Sequence, residues 1–283
     1  MHLLISFYRE TAKPRKPQDN NPRMSLYRMF DTPYFLQYIF YPRKDFTPCP
    51  DHALDLVVKA PDDVSIVCRF FNGNSLWPTI LFFHGNGEVI SDYDDIAPLY
   101  YKRRLNLIVT DYRGYGKSTG VPTLEAMVHD AHTVYHAILN ELRMQGLRDA
   151  LWIMGRSLGS ASAFELAYTY QDSIKGIIIE SGFPHIATIL NHLGISTKVN
   201  SNEPYKETLR RISTIKIPVL IIHGEYDTLV PLEEAQTIYD TIGSNKKELL
   251  VIPMANHNDI MYVGLHQYFD RLQKFIEMTD GYV

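Results

Sequence analysis

From Ala53 onward, two hydrophobic patterns alternate along the chain. Short apolar runs stand between turn residues: "ALDLVVKA", "VSIVCRFF", "TILFFHG", "NLIVTDY", "ALWIMG", "KGIIIES", "IPVLIIHG" and "ELLVIP". The later ones are mostly continuous, with no polar alternation, as strands buried on both faces of a parallel sheet require. The first two flank Pro61-Asp62-Asp63 and read as a hairpin. Stretches of helical period lie between the later runs. Leu124, Met127, Val128, Ala131, Val134, Tyr135 and Ile138 recur at three- and four-residue steps, and Gly146 suits that helix's end. The pattern predicts one α/β domain over residues 53–283, a doubly wound, mostly parallel sheet of eight strands with helices on both faces.

Residues 1–52 follow neither pattern and read as a basic, aromatic N-terminal arm and strap. "TAKPRKPQDNNPR" has the composition of a flexible linker or disordered arm. "FDTPYFLQYIFYPR" is crowded with aromatic residues and shows no clean helical stripe. It reads as a strap whose rings pack on the main domain. The alternative is a basic-aromatic element in peripheral contact with a membrane surface or a partner. Charge supports the division: residues 1–44 hold eight Lys/Arg against Glu10, Asp19 and Asp31, within a chain of net charge −4. That overall balance does not suit a nucleic-acid-binding protein. An apolar share of 45% over 283 residues is enough for a sizeable core. Cys49 and Cys68 make no disulfide framework and suit a reducing compartment. No apolar run reaches the ~18–20 residues of a membrane span, and "LLISF" is short for a secretory signal. A cytoplasmic location is the expectation, and the oligomeric state stays open.

The chemistry concentrates at "ALWIMGRSLGSASAFELAYTY". A strand runs into Gly155, and a helix carrying Leu158, Ala161, Phe164 and Ala167 runs out. Between them Gly155-Arg156-Ser157-Leu158-Gly159 matches G-x-S-x-G. Side chains two residues either side of the serine would collide in so tight a turn. The serine is then held in a strained conformation with its Oγ above the sheet. The helix N-terminus favours an incoming negative charge.

Such a nucleophile needs a base and an acid. "IPVLIIHGEYDTLVP" is a buried strand followed by a loop with Asp227, and Pro231 opens the next helix. "LLVIPMANHNDIMY" is the final strand followed by a loop with His257. His257 is the expected base and Asp227 the expected acid, with Glu180 at the end of an earlier strand as a rival. Asp259 is expected to orient the His257 loop. The oxyanion hole is expected from the backbone N–H of Leu158 and an N–H after "TILFFHGNGEV", Asn86 being favoured over Gly87. His84 reads as a brace for that loop.

"HGNG", "DYRGYGKS", "GRSLGS", "HGEYDTLVP" and "NHNDI" together resemble the α/β-hydrolase superfamily, most of all the branch holding the ABHD-type protein depalmitoylases and their bacterial serine-hydrolase relatives. The resemblance covers roughly residues 53–279 and implies the α/β-hydrolase fold, no cofactor and no metal. It implies cleavage of an ester or thioester through an acyl-Ser157 intermediate, with a lipidated protein among the candidate substrates. A serine peptidase of the same fold and a non-catalytic binding protein are the alternatives. Asn256 stands where the family usually has Gly before the catalytic histidine, and the cysteine-rich, lipidated N-terminus of the animal depalmitoylases is absent. "DYRGYGKS" reads as scaffold, since the Walker spacing is missing. His129, His132 and His136 share one helical face at the flank of the apolar stripe and read as a solvated edge.

A small helical lid is expected over about Gly182 to Lys216, with one short helix in "FPHIATILNHLGI" and another in "EPYKETLRRI". Gly87, Phe183 and Ile186 are the candidate substrate contacts. Phe183, Ile186, Ile189 and Leu190 have the alternative of packing down on the sheet.

Overall fold

The computed structural model describes residues 25–195 and 202–281. The segment "TAKPRKPQDNNPR" therefore lies outside the described residues, as does the middle of the expected lid. Two short helices come first, α1 (Ser25–Arg28) and α2 (Pro33–Ile39). The domain follows as β1 (Leu54–Lys59), β2 (Ser65–Phe71), β3 (Thr79–Phe83), α3 (Ala97–Tyr101), β4 (Asn106–Thr110), α4 (Leu124–Met144), β5 (Leu151–Arg156), α5 (Ser160–Tyr170), β6 (Ile174–Glu180), α6 (Ile186–His192), α7 (Asn202–Thr214), β7 (Val219–Gly224), α8 (Leu232–Thr241), β8 (Lys247–Ile252), α9 (Ile260–Val263) and α10 (Leu265–Asp280). Each of the eight apolar runs forms a strand.

The strands make one sheet in the order β1-β2-β4-β3-β5-β6-β7-β8. β1 and β2 form the expected antiparallel hairpin, β2 pairs antiparallel with β4, and every later pairing is parallel. Strand residues that look uniformly apolar in sequence divide by the period of two. Leu81 and Phe83 face the core shared with α4 and α5, while Ile80 and Phe82 face the core shared with α3 and α10. Both faces are thus covered, which is why the runs are continuous.

The topology fixes where chemistry can happen. After β3 the chain goes to β4 on one side, then returns to β5 on the other. Strand order reverses at β3/β5, so the loops leaving the carboxyl ends of these strands diverge and open a crevice. The "HGNG" loop leaves β3 there and the "GRSLGS" turn leaves β5, with Phe83 in register with Gly155.

The aromatic segment is part of the domain's core. Phe30, Phe35, Ile39 and Phe40 are buried in the same cluster as α4 and α5, and Asp31 accepts the N–H groups of Leu124 (2.7 Å) and Glu125 (3.0 Å) at the start of α4. α2 is a helix although no stripe is visible in its sequence. Phe35 and Ile39, one turn apart, face inward, while Tyr34 and Tyr38 face solvent. Apolar residues on both faces erase the periodic contrast that marks a helix.

α6 and α7 form where the lid was expected. α7 lies along α5, α8 and α1, and Phe183, Ile186, Ile189 and Leu190 are buried in the core cluster. Among the described residues, no helix is long and apolar enough to cross a membrane.

Candidate active site

The "GRSLGS" turn is as tight as its glycines require. Ser157 has φ +50, in the left-handed region that non-glycine residues rarely enter. A Cβ on Gly155 would stand 2.4 Å from the Gly159 carbonyl oxygen. A Cβ on Gly159 would stand 2.1 Å from the carbonyl oxygen of Phe83. The first glycine therefore makes room for the turn itself. The second lets α5 approach β3, which brings Ser157 beside the loop after β3. The Ser160 hydroxyl closes the turn by donating to the Ser157 carbonyl at 2.7 Å.

The three residues expected from sequence meet. His257 Nε2 lies 3.1 Å from Ser157 Oγ, and His257 Nδ1 lies 2.7 Å from Asp227 Oδ2. All three are buried. Asp227 Oδ1 accepts the N–H of Leu229 (3.0 Å) and Val230 (2.8 Å), which fixes the carboxylate plane. Burial pushes the Asp227 carboxyl up, but the bond from His257, the His257 charge and the Val230 N–H together hold it below its ordinary value. Behind it the buried His223 reaches the Val230 carbonyl at 2.8 Å and stands 3.5 Å from Asp227 Oδ2.

Glu180, the rival acid, is elsewhere. It takes Arg156 Nε at 3.1 Å and the Tyr268 hydroxyl at 2.6 Å. Burial pushes its carboxyl up. Arg156 also pairs through Nη1 with Glu88, in the loop after β3. Its Nη2 donates to the His257 carbonyl oxygen (2.8 Å) and to Asn258 Oδ1 (3.0 Å). One guanidinium thus ties the elbow, the loop after β3 and the histidine loop together. Sequence reasoning missed it; the only signal was a charged residue between two glycines at the end of an apolar strand.

The histidine loop carries a further link. Asn256, where the family usually has glycine, accepts the His257 N–H at 2.8 Å and the Thr228 N–H at 3.4 Å through its side-chain oxygen. It bridges the Asp227 loop to the His257 loop. Asp259 accepts the Asn256 N–H at 2.6 Å, the orienting place expected for it.

On the other side of the serine, His84 Nδ1 lies 2.8 Å from the Gly85 carbonyl and its Nε2 lies 3.3 Å from Asp111 Oδ1, so it braces its loop. Gly87 has φ +78. Among the described residues, no hydrogen bond engages the backbone N–H of Asn86. Phe183 and Ile186 are 5% and 6% exposed, so most of each side chain belongs to the core. The histidines of α4 differ from a simple solvated edge: His132 Nδ1 (3.0 Å) and His136 Nε2 (2.9 Å) both meet the Tyr170 hydroxyl of α5.

The Hydrolase_4 family, described as serine aminopeptidase, S33, matches residues 77–202 and 189–261. The chain belongs to this family. It is a hydrolase of the α/β fold. Among relatives of this S33-type hydrolase, the protein bem46 of Schizosaccharomyces pombe is 31% identical over 210 residues, 72% of this chain and 68% of that one. The alpha/beta hydrolase domain-containing protein WAV2 of Arabidopsis thaliana is 27% identical over 71% of this chain and 70% of its own. Among solved structures, the esterase Pf2001 of Pyrococcus furiosus superposes with a TM-score of 0.71 at 21% identity, over 86% of this chain and all of that one.

Proposed function

We propose that this S33-family hydrolase is a serine esterase or thioesterase. The observation that carries the reading is the unbroken buried chain from Ser157 Oγ through His257 to Asp227. In this mechanism Ser157 Oγ attacks the substrate carbonyl carbon as its proton passes to His257 Nε2. The backbone N–H groups of Asn86 and Leu158 hold the oxyanion of the tetrahedral intermediate. The intermediate collapses, the C–O or C–S bond breaks, and His257 returns the proton to the departing alcohol or thiol. Water then attacks acyl-Ser157 with His257 as base. The proton that His257 takes from water is delivered to Ser157 Oγ as the bond from the acyl carbon to Oγ breaks, and the carboxylic acid leaves with water's other proton. Asp227 keeps the proton-bearing Nδ1 fixed and stabilises the imidazolium.

The family's description favours a second reading, a serine aminopeptidase. Such an enzyme needs a carboxylate free to bind the substrate's α-ammonium group. Glu88 and Glu180, which approach the elbow, are both paired with Arg156. That supports ester or thioester over aminoacyl substrates. Exposed apolar side chains flank the acid and base in the chain, Tyr226 and Leu229 beside Asp227 and Met254 before His257. They suit an acyl group, and an acyl protein is the larger substrate we propose for this surface. The Pyrococcus furiosus neighbour is itself described as an esterase.

A panel of p-nitrophenyl esters of rising acyl length, a palmitoyl-thioester peptide and aminoacyl p-nitroanilides tests the choice. Turnover of esters or the thioester with none of the anilides is the expected result. Selective cleavage of the anilides would replace this reading with the peptidase one.

A further inference from the structure

Resting on the proposed acyl-transfer reading, we infer that the strap formed by residues 39–45 positions the oxyanion donor, and that it does so through the Asn86 side chain. Both ends of the Asn86 amide are engaged. Its Nδ2 donates to the Ile39 carbonyl at 2.8 Å, and its Oδ1 accepts the Tyr41 N–H at 2.9 Å and the Tyr115 hydroxyl at 2.6 Å. Ile39 and Tyr41 present a carbonyl and an N–H on either side of Phe40. A primary amide matches that pair of groups with one donor and one acceptor. The strap backbone and the Asn86 side chain therefore fix one another in place.

The strap itself is anchored on both sides of this contact. Upstream, Phe35, Ile39 and Phe40 sit in the core. Downstream, the Arg43 carbonyl accepts the Gly116 N–H at 2.8 Å and Lys44 Nζ donates to the Ser118 carbonyl at 2.7 Å. Arg43 pairs with Asp92, and the Ser91 hydroxyl donates to Asp45. The strap is thus bound to the loop after β3 and to the turn after β4 at once.

The same loop is gripped from the elbow side. Glu88 Oε2 accepts the Gly85 N–H at 2.9 Å, and Glu88 pairs with Arg156. A Cβ on Gly85 would stand 2.4 Å from Arg156 Nη1, so the backbone passes directly along the guanidinium. Asn86 is the next residue. The peptide before it is held by Glu88–Arg156, its own side chain is held by the strap, and its N–H is left for an incoming oxyanion. Tyr115 Oη joins the strap to the loop, because it donates to Asn86 Oδ1 and receives the Tyr41 N–H at 3.0 Å. A donor fixed before the substrate arrives needs no reorganisation at the transition state, which is where oxyanion stabilisation is gained. Asn86 thus contributes its backbone to the reaction and its side chain to the backbone's placement. The strap, remote in sequence from the triad, belongs to the catalytic apparatus as a positioning element.

The test compares the full-length chain with Asn86→Ala and Tyr115→Phe. Alanine keeps the backbone N–H and removes the amide; phenylalanine removes the hydroxyl alone. On a p-nitrophenyl ester, kcat is expected to fall about 10- to 100-fold in Asn86→Ala. KM should stay within about threefold, and Tyr115→Phe should show a smaller loss of the same kind. Fluorophosphonate inactivation passes through a similar oxyanion, so its second-order rate should fall in parallel with kcat. Concentrations are taken from active-site titration, so that any misfolded fraction does not count as lost turnover. If both variants melt earlier but keep kcat and the inactivation rate within about twofold, the strap is structural only and the inference fails. If the wild-type chain neither hydrolyses esters nor takes the probe at Ser157, the acyl-transfer reading fails first and takes this inference with it.

Discussion

Arg156 Nη2 donates to the backbone carbonyl of His257 at 2.8 Å. The residue immediately before Ser157 thereby holds the loop that carries His257. Its remaining nitrogens pair with Glu180 and Glu88. The network is buried, with Arg156 at 9% exposure and Glu180 at 1%.

Removing Arg156 leaves the Glu180 carboxylate in the core with the Tyr268 hydroxyl as its hydrogen-bond partner among the described residues. Arg156→Ala is expected to cost about 3–5 kcal/mol of unfolding free energy at neutral pH, read from urea melts. Burial already raises the Glu180 carboxyl in the wild type. In the variant its folded pKa lies still further above the unfolded one, so the native state binds more protons between the two values. Stability of the variant should therefore fall as pH rises through that window and recover on acidification. A double variant, Arg156→Ala with Glu180→Gln, should lose that pH dependence.

Asp227→Asn keeps the geometry but no longer stabilises a protonated His257 or enforces its tautomer. Ester turnover should drop by about 10⁴-fold, with kcat bearing most of the loss. The wild-type carboxyl is held below its ordinary value, so its contribution to stability is complete above the unfolded value near pH ~4. It is lost as pH falls through the lowered folded value. Acid unfolding of Asp227→Asn should lack that component.

His185 caps α6, its Nδ1 accepting the Ala187 N–H at 3.2 Å, and its ring packs against Phe30 and Tyr205. Burial lowers its pKa from 6.5 to about 4. The unfolded chain therefore binds a proton there that the folded chain does not. Stability should fall as pH drops from 6.5 toward 4. His185→Asn keeps a capping acceptor and cannot titrate, so thermal melts of that variant should be flatter over the same interval.

Gly159→Ala places a Cβ 2.1 Å from the Phe83 carbonyl oxygen, a backbone atom with nowhere to move. A loss of about 1–3 kcal/mol or more is expected, together with displacement of Ser157 from the crevice. Calorimetry measures the first effect and fluorophosphonate labelling the second.

The parts legible in sequence are those in which the chain is its own context. The eight apolar runs became the eight strands, and in the inner strands β3, β4, β5 and β7 burial on both faces leaves an unbroken hydrophobic signature. The elbow, Asp227 and His257 could be found because each follows such a strand directly. What escaped depends on the order of the strands. Glu88, Arg156, Glu180 and Tyr268 are brought together by β3, β5 and β6 lying side by side and α10 packing behind them. No local pattern encodes that adjacency. α2 escaped for a different reason, since Tyr34 and Tyr38 on its outer face mask the inward pair Phe35 and Ile39. The strap's hold on Asn86 escaped because it is made by the backbone of Ile39 and Tyr41, which no side-chain motif reports.

The most direct measurement is intact-protein mass spectrometry of the wild-type chain and Ser157→Ala after exposure to a fluorophosphonate, run beside ester hydrolysis. Wild type should gain a single adduct on Ser157 and lose its turnover in proportion to labelling. Ser157→Ala should gain no adduct and show no turnover. Hydrolysis retained in Ser157→Ala, or an adduct that persists without that serine, would contradict the account.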